Sequence, residues 1–218
     1  MTPFLELQDV VFAYDDGNLV LKGANLHLLP GGKVGIQGRN GSGKTTLFRI
    51  ITGLEKPSGG EILFRGRPLK GNRKNLSELR KNVGYLFQDP EDQLFCPTLL
   101  EDVAFGPLNL GLSPAAARKK AFETLRLFDM EHLADKPPHT LSGGQKRLGA
   151  LSAVLAMEPR VLLLDEPTGD LDEKALESLE RLLLSEETTF LVVSHDEEFL
   201  NKVTNRKYCL DDGRLLPL

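Results

Sequence analysis

The sequence has no apolar run long enough to cross a membrane. A transmembrane helix needs roughly 18 or more consecutive apolar residues, and the densest apolar stretches, such as residues 161–164, are far shorter. The first residues, Met-Thr-Pro-Phe-Leu-Glu, also lack the basic region and apolar run of a secretory signal. These absences predict a soluble, intracellular protein.

The sequence also has few cysteines and no excess of positive charge. The two cysteines, Cys96 and Cys209, form no CxxC pair, which suits a reducing cytosol and predicts two buried or free thiols. The formal net charge is −4, so the composition gives no reason to expect nucleic acid as the main partner. A length of 218 residues allows one large domain or two small ones, and we see no internal repeat.

The apolar pattern alternates between short strands and helices, which predicts an α/β protein with a mainly parallel sheet. Helical periodicity dominates from residue 90 to about residue 159, where Ala117, Ala121, Leu125 and Phe128 share one predicted face. We therefore expect one domain, residues 1–218, whose core (1–89 and 160–218) contains an inserted helical subdomain (90–159). The predicted strands are 4–14, 34–36, 61–64, 83–87, 161–165, 189–193 and 206–210, and the predicted helices are 45–52, 114–130, 145–157, 172–184 and 196–203.

Residues 38–45 fit the phosphate-binding pattern G-x-x-x-x-G-K-[ST] between a predicted strand and a predicted helix. In such a P-loop, glycines let backbone N–H groups face phosphate oxygens, and the helix directs its positive end at the same phosphates. Lys44 would reach the β- and γ-phosphates, and the Thr45 hydroxyl would bind Mg²⁺. The predicted nucleotide contacts here are Gly38, Arg39, Asn40, Gly41, Ser42, Gly43, Lys44, Thr45 and Thr46.

Residues 161–167 form an apolar strand that ends in two carboxylates, Asp165 and Glu166. A buried strand that ends in an acidic pair can direct Asp165 towards Mg²⁺. Glu166 would then orient or deprotonate the attacking water, a role usually worth about 10²- to 10⁴-fold in rate. The alternative is that Glu166-Pro167 only begins a turn.

Residues 141–145 read Leu-Ser-Gly-Gly-Gln and precede a predicted helix. Backbone amides and a hydroxyl at a helix N-terminus form an anion site. The P-loop is already one such site, so a second one that lies beyond its reach needs a phosphate from another source.

With the P-loop and this pentapeptide together, the sequence resembles the ATP-binding cassette (ABC) ATPases over essentially its whole length. The resemblance implies a P-loop NTPase core with an N-terminal antiparallel β part and an inserted α-helical subdomain. It also implies that two domains pair head to tail, each LSGGQ capping the γ-phosphate that the other domain binds. The residues expected to contact ATP of the second domain are Ser142, Gly143, Gly144, Gln145 and, in the D-loop (169–172), Asp172.

The same resemblance assigns roles to single residues. Gln88 matches the glutamine that contacts Mg²⁺ and water, His195 matches the histidine that bonds the γ-phosphate, and Tyr14 matches the aromatic that stacks on adenine. A structural histidine and an ordinary strand tyrosine are the alternatives for the last two. The expected catalytic residues are thus Glu166, His195, Gln88 and Lys44, and the expected Mg²⁺ ligands are Thr45, Gln88 and Asp165. Asp170 stands where the family more often has a small residue.

Residues 88–107 resemble the ATPases of energy-coupling-factor importers, which take up cobalt, nickel or vitamins. The resemblance implies that Asp92, Gln93, Leu94 and Phe95 face a membrane subunit; the alternative is an ordinary surface loop with one buried aromatic. Residues 135–140 lack the Glu-Arg-Gly type of element typical of exporters, which favours import. Since the chain ends at Leu218, we expect it to lack the C-terminal segment, with its dimer contacts, that those ATPases commonly have.

We therefore expect the ATP-hydrolysing subunit of a membrane ABC importer, with ATP and Mg²⁺ as ligands, at the cytoplasmic face of the membrane. The expected partners are a second ABC ATPase domain (a copy or a paralogue) and an integral membrane subunit, with no nucleic acid. The alternatives are a soluble ABC-class ATPase acting on DNA or ribosomes, or the ATPase of another transporter class. A catalytically inactive cassette conflicts with the presence of Lys44, Asp165, Glu166 and His195.

Overall fold

In the part of the chain that the structure describes, ten strands form two sheets. The structure is a computed structural model that describes residues 2–69, 71–186 and 188–218. The strands are β1 (Leu5–Ala13), β2 (Leu19–Leu28), β3 (Lys33–Gln37), β4 (Gly59–Phe64), β5 (Arg67–Pro68), β6 (Val83–Leu86), β7 (Val161–Asp165), β8 (Phe190–Val193), β9 (Arg206–Asp211) and β10 (Arg214–Pro217).

The larger sheet has six strands in the order β10-β9-β3-β8-β7-β6. All its neighbouring pairs are parallel except β9 with β10. Every residue of β7 and β8 is buried, because a parallel sheet is covered on both faces. The smaller sheet is antiparallel, in the order β2-β1-β4-β5. The mainly parallel α/β core with an N-terminal antiparallel part is thus confirmed.

Among the described residues, seven α-helices surround these sheets. They are α1 (Lys44–Ile51), α2 (Arg73–Asn82), α3 (Leu99–Asn109), α4 (Pro114–Arg126), α5 (Gly143–Leu155), α6 (Glu173–Leu184) and α7 (Glu197–Val203). Three helices, α3, α4 and α5, lie between β6 and β7, together with short 3₁₀ turns. No helix in the described parts of the chain is both long and apolar enough to span a bilayer.

Two helix predictions need correction. The helix predicted for residues 114–130 ends at Arg126, and the backbone soon afterwards turns through Asp129 at a positive φ of 57°. The helix predicted for 145–157 begins two residues earlier, at Gly143, because Ser142 provides its N-cap. The sequence pattern predicts none of β2, β5, β10, α2 and α3 as a separate element.

Two hydrophobic cores lie on opposite faces of the six-stranded sheet. Along β7, Leu162 and Leu164 belong to the core that includes the helices of the 90–159 block, α6 and α7. The alternate residues Val161 and Leu163 belong to the core formed with α1 and the antiparallel sheet. Successive strand side chains point to opposite faces, so the apolar run of β7 serves both cores at once.

A buried carboxylate fixes the loop that precedes α3. Asp102 is 3% exposed, and its Oδ1 accepts hydrogen bonds from the backbone amides of Phe95 (3.0 Å) and Cys96 (2.9 Å). Burial, reinforced by Asp102, raises the pKa of the Cys96 thiol to about 11. Cys96 and Cys209 are both free thiols, as predicted. Asp102 therefore holds the chain between β6 and α3 in one conformation.

Replacing Asp102 by Ala should destabilise the protein, because two partly buried amides lose their acceptor. A buried hydrogen-bonding group left without a partner costs about 1–3 kcal/mol, so the free energy of unfolding in urea should fall by at least that amount. Asp102→Asn retains an acceptor oxygen, so its free energy of unfolding should fall by less. Asp135→Ala is the control, since this exposed residue only faces Arg118 at 4.0 Å and should change stability by under about 0.5 kcal/mol. Equal stabilities for Asp102→Ala and Asp135→Ala would contradict this account.

Candidate active site

Four neighbouring parallel strands, β3, β8, β7 and β6, end at the same edge of the large sheet. Ligands in open α/β sheets bind outside the carboxyl ends of the strands. A cleft of about 290 Å³ opens there. Its lining includes Tyr14, Asn40, Gly41, Gly43, Lys44, Thr45, Thr46, Gln88, Asp165, Glu166 and His195. Residues from five separate parts of the sequence, predicted from unrelated motifs, thus converge on one cavity.

The P-loop turns tightly between β3 and α1. Gly43 is the N-cap of α1 with φ 101°, a left-handed conformation in which a side chain would be strained, and a Cβ there would lie 2.5 Å from Val20 Cγ1. The buried Lys44 ammonium donates to the carbonyl oxygens of Gly38 (2.7 Å) and Arg39 (3.0 Å). An ammonium has three donors, so it retains capacity for a further acceptor. Burial lowers the pKa of Lys44, and the carboxylates of Glu166 and Asp165 oppose that shift.

Two of the predicted Mg²⁺ ligands are in direct contact. The Thr45 hydroxyl at the start of α1 donates to Asp165 Oδ2 at the end of β7, at 2.8 Å. The Tyr85 hydroxyl on β6, which the sequence analysis did not single out, donates to the same oxygen at 3.4 Å. Burial raises the pKa of Asp165, while the bonds from Thr45 and Tyr85 and the charge of Lys44 oppose the increase.

Glu166 and His195 lie together at the ends of β7 and β8. The backbone amide of His195 donates to Glu166 Oε2 at 3.1 Å. His195 Nε2 is 3.3 Å from Glu166 Oε1, yet that oxygen is buried and makes no hydrogen bond to any part of the chain that the structure describes. Glu166 has a positive φ of 48°, which is uncommon for a side chain with a Cβ. The strand end therefore presents a carboxylate oxygen that can accept a proton.

Gln88 and Tyr14 occupy the two flanks of the cleft. Gln88 follows β6, and its side chain is exposed towards both this cleft and an adjoining one of about 1120 Å³. The hydroxyl groups of Tyr14 and Thr46 form a hydrogen bond at 2.9 Å, and the Tyr14 ring packs edge-on against Phe12. Tyr14 is therefore positioned against the first turn of α1 rather than free in a strand.

The LSGGQ residues begin α5 and do not line the P-loop cleft in the described structure. Ser142 and Gln145 form a capping box, in which Ser142 Oγ accepts from the Gln145 amide (3.3 Å) and Gln145 Oε1 accepts from the Ser142 amide (3.0 Å). The Gln145 side chain is thus already engaged in its own helix. Asp172 is likewise the N-cap of α6 and accepts from the Ala175 amide at 2.8 Å.

Arg147 connects three segments of the site, and no sequence motif pointed to its partners. Arg147 is 7% exposed, and its Nη1 donates to the Gln88 carbonyl at 2.7 Å and its Nε to the Gly169 carbonyl at 3.3 Å. Burial lowers the pKa of Arg147, and nearby carboxylates, first Asp170, oppose that shift. Its only signal in the sequence is its position, two residues after the end of the pentapeptide.

The segment predicted to face a partner is only half exposed. Leu94 is 8% exposed and packs in the helical core, so it offers a partner little surface in this structure. Gln93 accepts from the Phe87 amide (3.1 Å) and donates to the Ala150 carbonyl (3.3 Å), so it joins β6 to α5. Asp92 is exposed, and Phe95 is 65% exposed with its ring 5.0 Å from that of Phe105, itself 46% exposed. The aromatic that the alternative would bury is therefore on the surface.

Comparison with known proteins identifies the family. A family model described as ABC transporter matches residues 21–169. The chain belongs to the ABC transporter family. EcfA of Methanocaldococcus jannaschii, an energy-coupling factor transporter ATP-binding protein, is 43% identical over 215 residues, which cover 97% of this chain and 77% of that protein.

Solved structures agree with this assignment. CbiO1 of Clostridium perfringens, part of the ABC transporter complex CbiONQ, superimposes with a TM-score of 0.86 at 37% identity, over 99% of this chain and 88% of that one. The ATP-binding cassette MJ0796, solved as a post-hydrolysis dimer with ADP and Pi, superimposes with a TM-score of 0.87 at 32% identity. The match covers 97% of this chain and 96% of that one. The chain is therefore an ABC transporter ATPase and binds ATP.

The cleft of this ABC ATPase fits a nucleoside triphosphate with Mg²⁺. Ser42 Oγ and Glu166 Oε1 are both buried without a hydrogen-bond partner among the described residues, which is unusual unless a ligand or water bonds them. The Thr45 hydroxyl and the Asp165 carboxylate are the hard oxygen donors that Mg²⁺ prefers. The P-loop adds a cation and a helix N-terminus for the phosphates.

Asp165→Asn should stabilise the protein in EDTA without nucleotide. Because burial raises the pKa of Asp165, ionising it costs more in the folded protein than in the unfolded chain. The protonated form of Asp165 stabilises the folded protein fully at pH below the pKa of an aspartate in the unfolded chain, near 3.9. This contribution is lost as pH rises through the higher pKa of Asp165 in the folded protein. The variant should therefore unfold at higher urea concentration than the parent at pH 7, and the two should converge as pH falls towards 4. A difference in unfolding midpoint between Asp165→Asn and the parent that does not change with pH would contradict this explanation.

Proposed function

We propose that this chain is the ATP-hydrolysing subunit of a membrane importer of the energy-coupling-factor type. The principal support is the convergence of Lys44, Thr45, Asp165, Glu166 and His195 on one cleft. The exposed Phe95–Phe105 pair, on the segment that follows Gln88, supports a partner at that surface. The similarity to EcfA and to CbiO1, the latter part of a transporter complex, favours import over other activities.

Binding of ATP uses the P-loop and its surroundings. The amides of residues 38–45 and the Lys44 ammonium hold the phosphates, and Tyr14 stacks on the adenine. Thr45 and Asp165, with Gln88 beside them, hold Mg²⁺, which neutralises charge on the phosphate oxygens when bound. The Thr45–Asp165 hydrogen bond already brings these two side chains together.

Hydrolysis is attack of water on the γ-phosphorus with rupture of the bond to the β–γ bridging oxygen. Glu166 Oε1 accepts the proton of that water. In support, the His195 amide bonds the other carboxylate oxygen, Oε2, while Oε1 makes no hydrogen bond to the described residues. His195 and Lys44 stabilise charge on the γ-phosphate oxygens, and the products are ADP and phosphate. Gln88 lines the same cleft and orients the water.

The complete site needs a second ATPase domain. Ser142, Gly143 and Gly144 present the positive N-terminal end of α5 outside the P-loop cleft, so the γ-phosphate they cap belongs to ATP on the partner domain. Asp172 on the D-loop contributes to the same contact. The partner is a second copy or a paralogue, and the MJ0796 cassette is itself described as a dimer.

The membrane subunit docks beside Gln88, on the surface formed by Asp92, Phe95 and Phe105. The protein then lies at the cytoplasmic face of the membrane. The solute is cobalt, nickel or a vitamin, chosen by the membrane subunits rather than by this chain.

Glu166→Gln should abolish turnover and retain ATP binding. Removing a general base typically reduces the rate of hydrolysis by about 10²- to 10⁴-fold. Two domains should therefore stay together as a stable dimer with unhydrolysed ATP bound between them. Phosphate release and light scattering after size-exclusion chromatography measure the two effects. Glu123→Gln, an exposed change on α4, is the charge-matched control. Hydrolysis at the parent rate in Glu166→Gln would refute the role of Glu166.

Phe95→Ala and Phe105→Ala should release the membrane subunit without affecting ATP hydrolysis by the isolated chain. Both rings are exposed, so the fold loses little, whereas a docked partner would lose an aromatic anchor. Leu127→Ala, a 63% exposed apolar side chain after α4, is the control. The readout is co-purification with the subunits encoded beside the gene. Equal recovery of the membrane subunit for all three variants would rule out docking at this pair, and recovery of nucleic acid instead would favour a soluble ATPase.

A further inference from the structure

The D-loop packs directly on the first turn of α5. Asp170 has a positive φ of 58°. A Cβ on Gly144 would lie 2.6 Å from the Asp170 backbone oxygen, a distance that real side chains do not tolerate. A Cβ on Gly143 would lie 3.0 Å from Asp170 Oδ2. The close approach of the D-loop within the same chain therefore requires glycine at position 144 and leaves little room for a side chain at position 143.

This packing places a carboxylate at the N-terminal end of α5. The first turn of a helix has a partial positive charge, because its N–H groups lack acceptors inside the helix. The Asp170 side chain is exposed, and the Arg147 guanidinium is close enough for its charge to interact with that of Asp170. Arg147 in turn holds the neighbouring Gly169 carbonyl. A helix end expected to receive a phosphate thus already has an anionic neighbour in its own chain.

We propose that Asp170 is a positioning residue that sets the ATP concentration at which the two domains close, because its carboxylate partly neutralises the end of α5 that receives the partner's γ-phosphate. The inference rests on the proposed head-to-tail dimer. A small neutral residue at this position would leave the positive end of α5 entirely to the incoming phosphate. With Asp170, the γ-phosphate must approach a negative charge of the opposing chain, so closure requires more ATP.

The effect is electrostatic and its size follows from known helix-end interactions. A charge near a helix terminus changes the relevant equilibrium by about two- to fivefold at low ionic strength. The Debye length is about 10 Å at 0.1 M salt and about 3 Å at 1 M, so the effect should shrink as salt is added. A role in packing alone would have no such salt dependence.

The test compares ATP-driven dimerisation in the Glu166→Gln background. Asp170→Asn keeps the side-chain volume against Gly143 and removes the charge, and Asp170→Ala also removes the packing. Glu123→Gln is the control for the loss of one exposed negative charge. Light scattering after size-exclusion chromatography, over an ATP series, gives the concentration for half-maximal dimer at low salt and in 1 M KCl.

The expected result is a half-maximal ATP concentration about two- to fivefold lower for Asp170→Asn and Asp170→Ala than for the control, with the difference mostly lost at 1 M KCl. An Asp170→Asn curve that coincides with the control, or lies at higher ATP, overturns the inference. A shift confined to Asp170→Ala, or one insensitive to salt, overturns it as well. If Glu166→Gln itself forms no ATP-dependent dimer, the head-to-tail arrangement fails and the inference fails with it; a dimer without the Asp170→Asn shift refutes the inference alone.

Discussion

The parallel register of β3, β8, β7 and β6 is the constraint on which the site depends. Ile36 is paired with Val193, Val193 with Asp165, and Leu164 with Leu86. The P-loop, the acidic pair, His195 and Gln88 therefore leave the sheet at the same level. A slip of one residue in β7 would exchange the faces of Leu162 and Val161 and damage both cores. The packing of two apolar cores thus fixes the alignment of the polar groups of the site.

The buried Arg147 guanidinium imposes a second constraint, between segments rather than strands. Removing a cation from water is costly unless hydrogen bonds replace the lost hydration, and here two backbone carbonyls do so. One carbonyl belongs to Gln88, at the start of the segment that leads to Phe95, and the other belongs to Gly169 in the D-loop. Movement of α5 therefore displaces both loops or breaks bonds to a buried charge. A partner that acts on the Phe95 surface has a continuous physical connection to the LSGGQ residues.

The sequence predicts most of the nucleotide site because its motifs impose local geometry. A P-loop or an acidic pair at the end of a strand determines its own conformation, and the structure brings Lys44, Thr45, Asp165 and Glu166 together in one cleft. β2 and α2 have weaker signals: β2 contains Gly23 at φ 93°, and Leu79 is the only fully buried residue of α2. Neighbouring side chains in an irregular loop are harder still. Leu94 faces the core and Phe95 faces solvent, and only the tertiary bonds of Gln93 and Asp102 decide which is which.

The close contact between Gly144 and Asp170 changes how the LSGGQ glycines should be interpreted. Phosphate binding explains a glycine by the need for accessible amides, whereas the 2.6 Å approach of the Asp170 carbonyl explains it by the lack of room inside the chain. A substitution at Gly144 must displace the D-loop, which also includes Asp172 and the Gly169 carbonyl that Arg147 holds. Loss of activity in such a variant would therefore not identify a phosphate contact. Asp170 separates the two explanations, because Asp170→Asn alters the charge beside α5 and leaves the carbonyl that limits Gly144 in place.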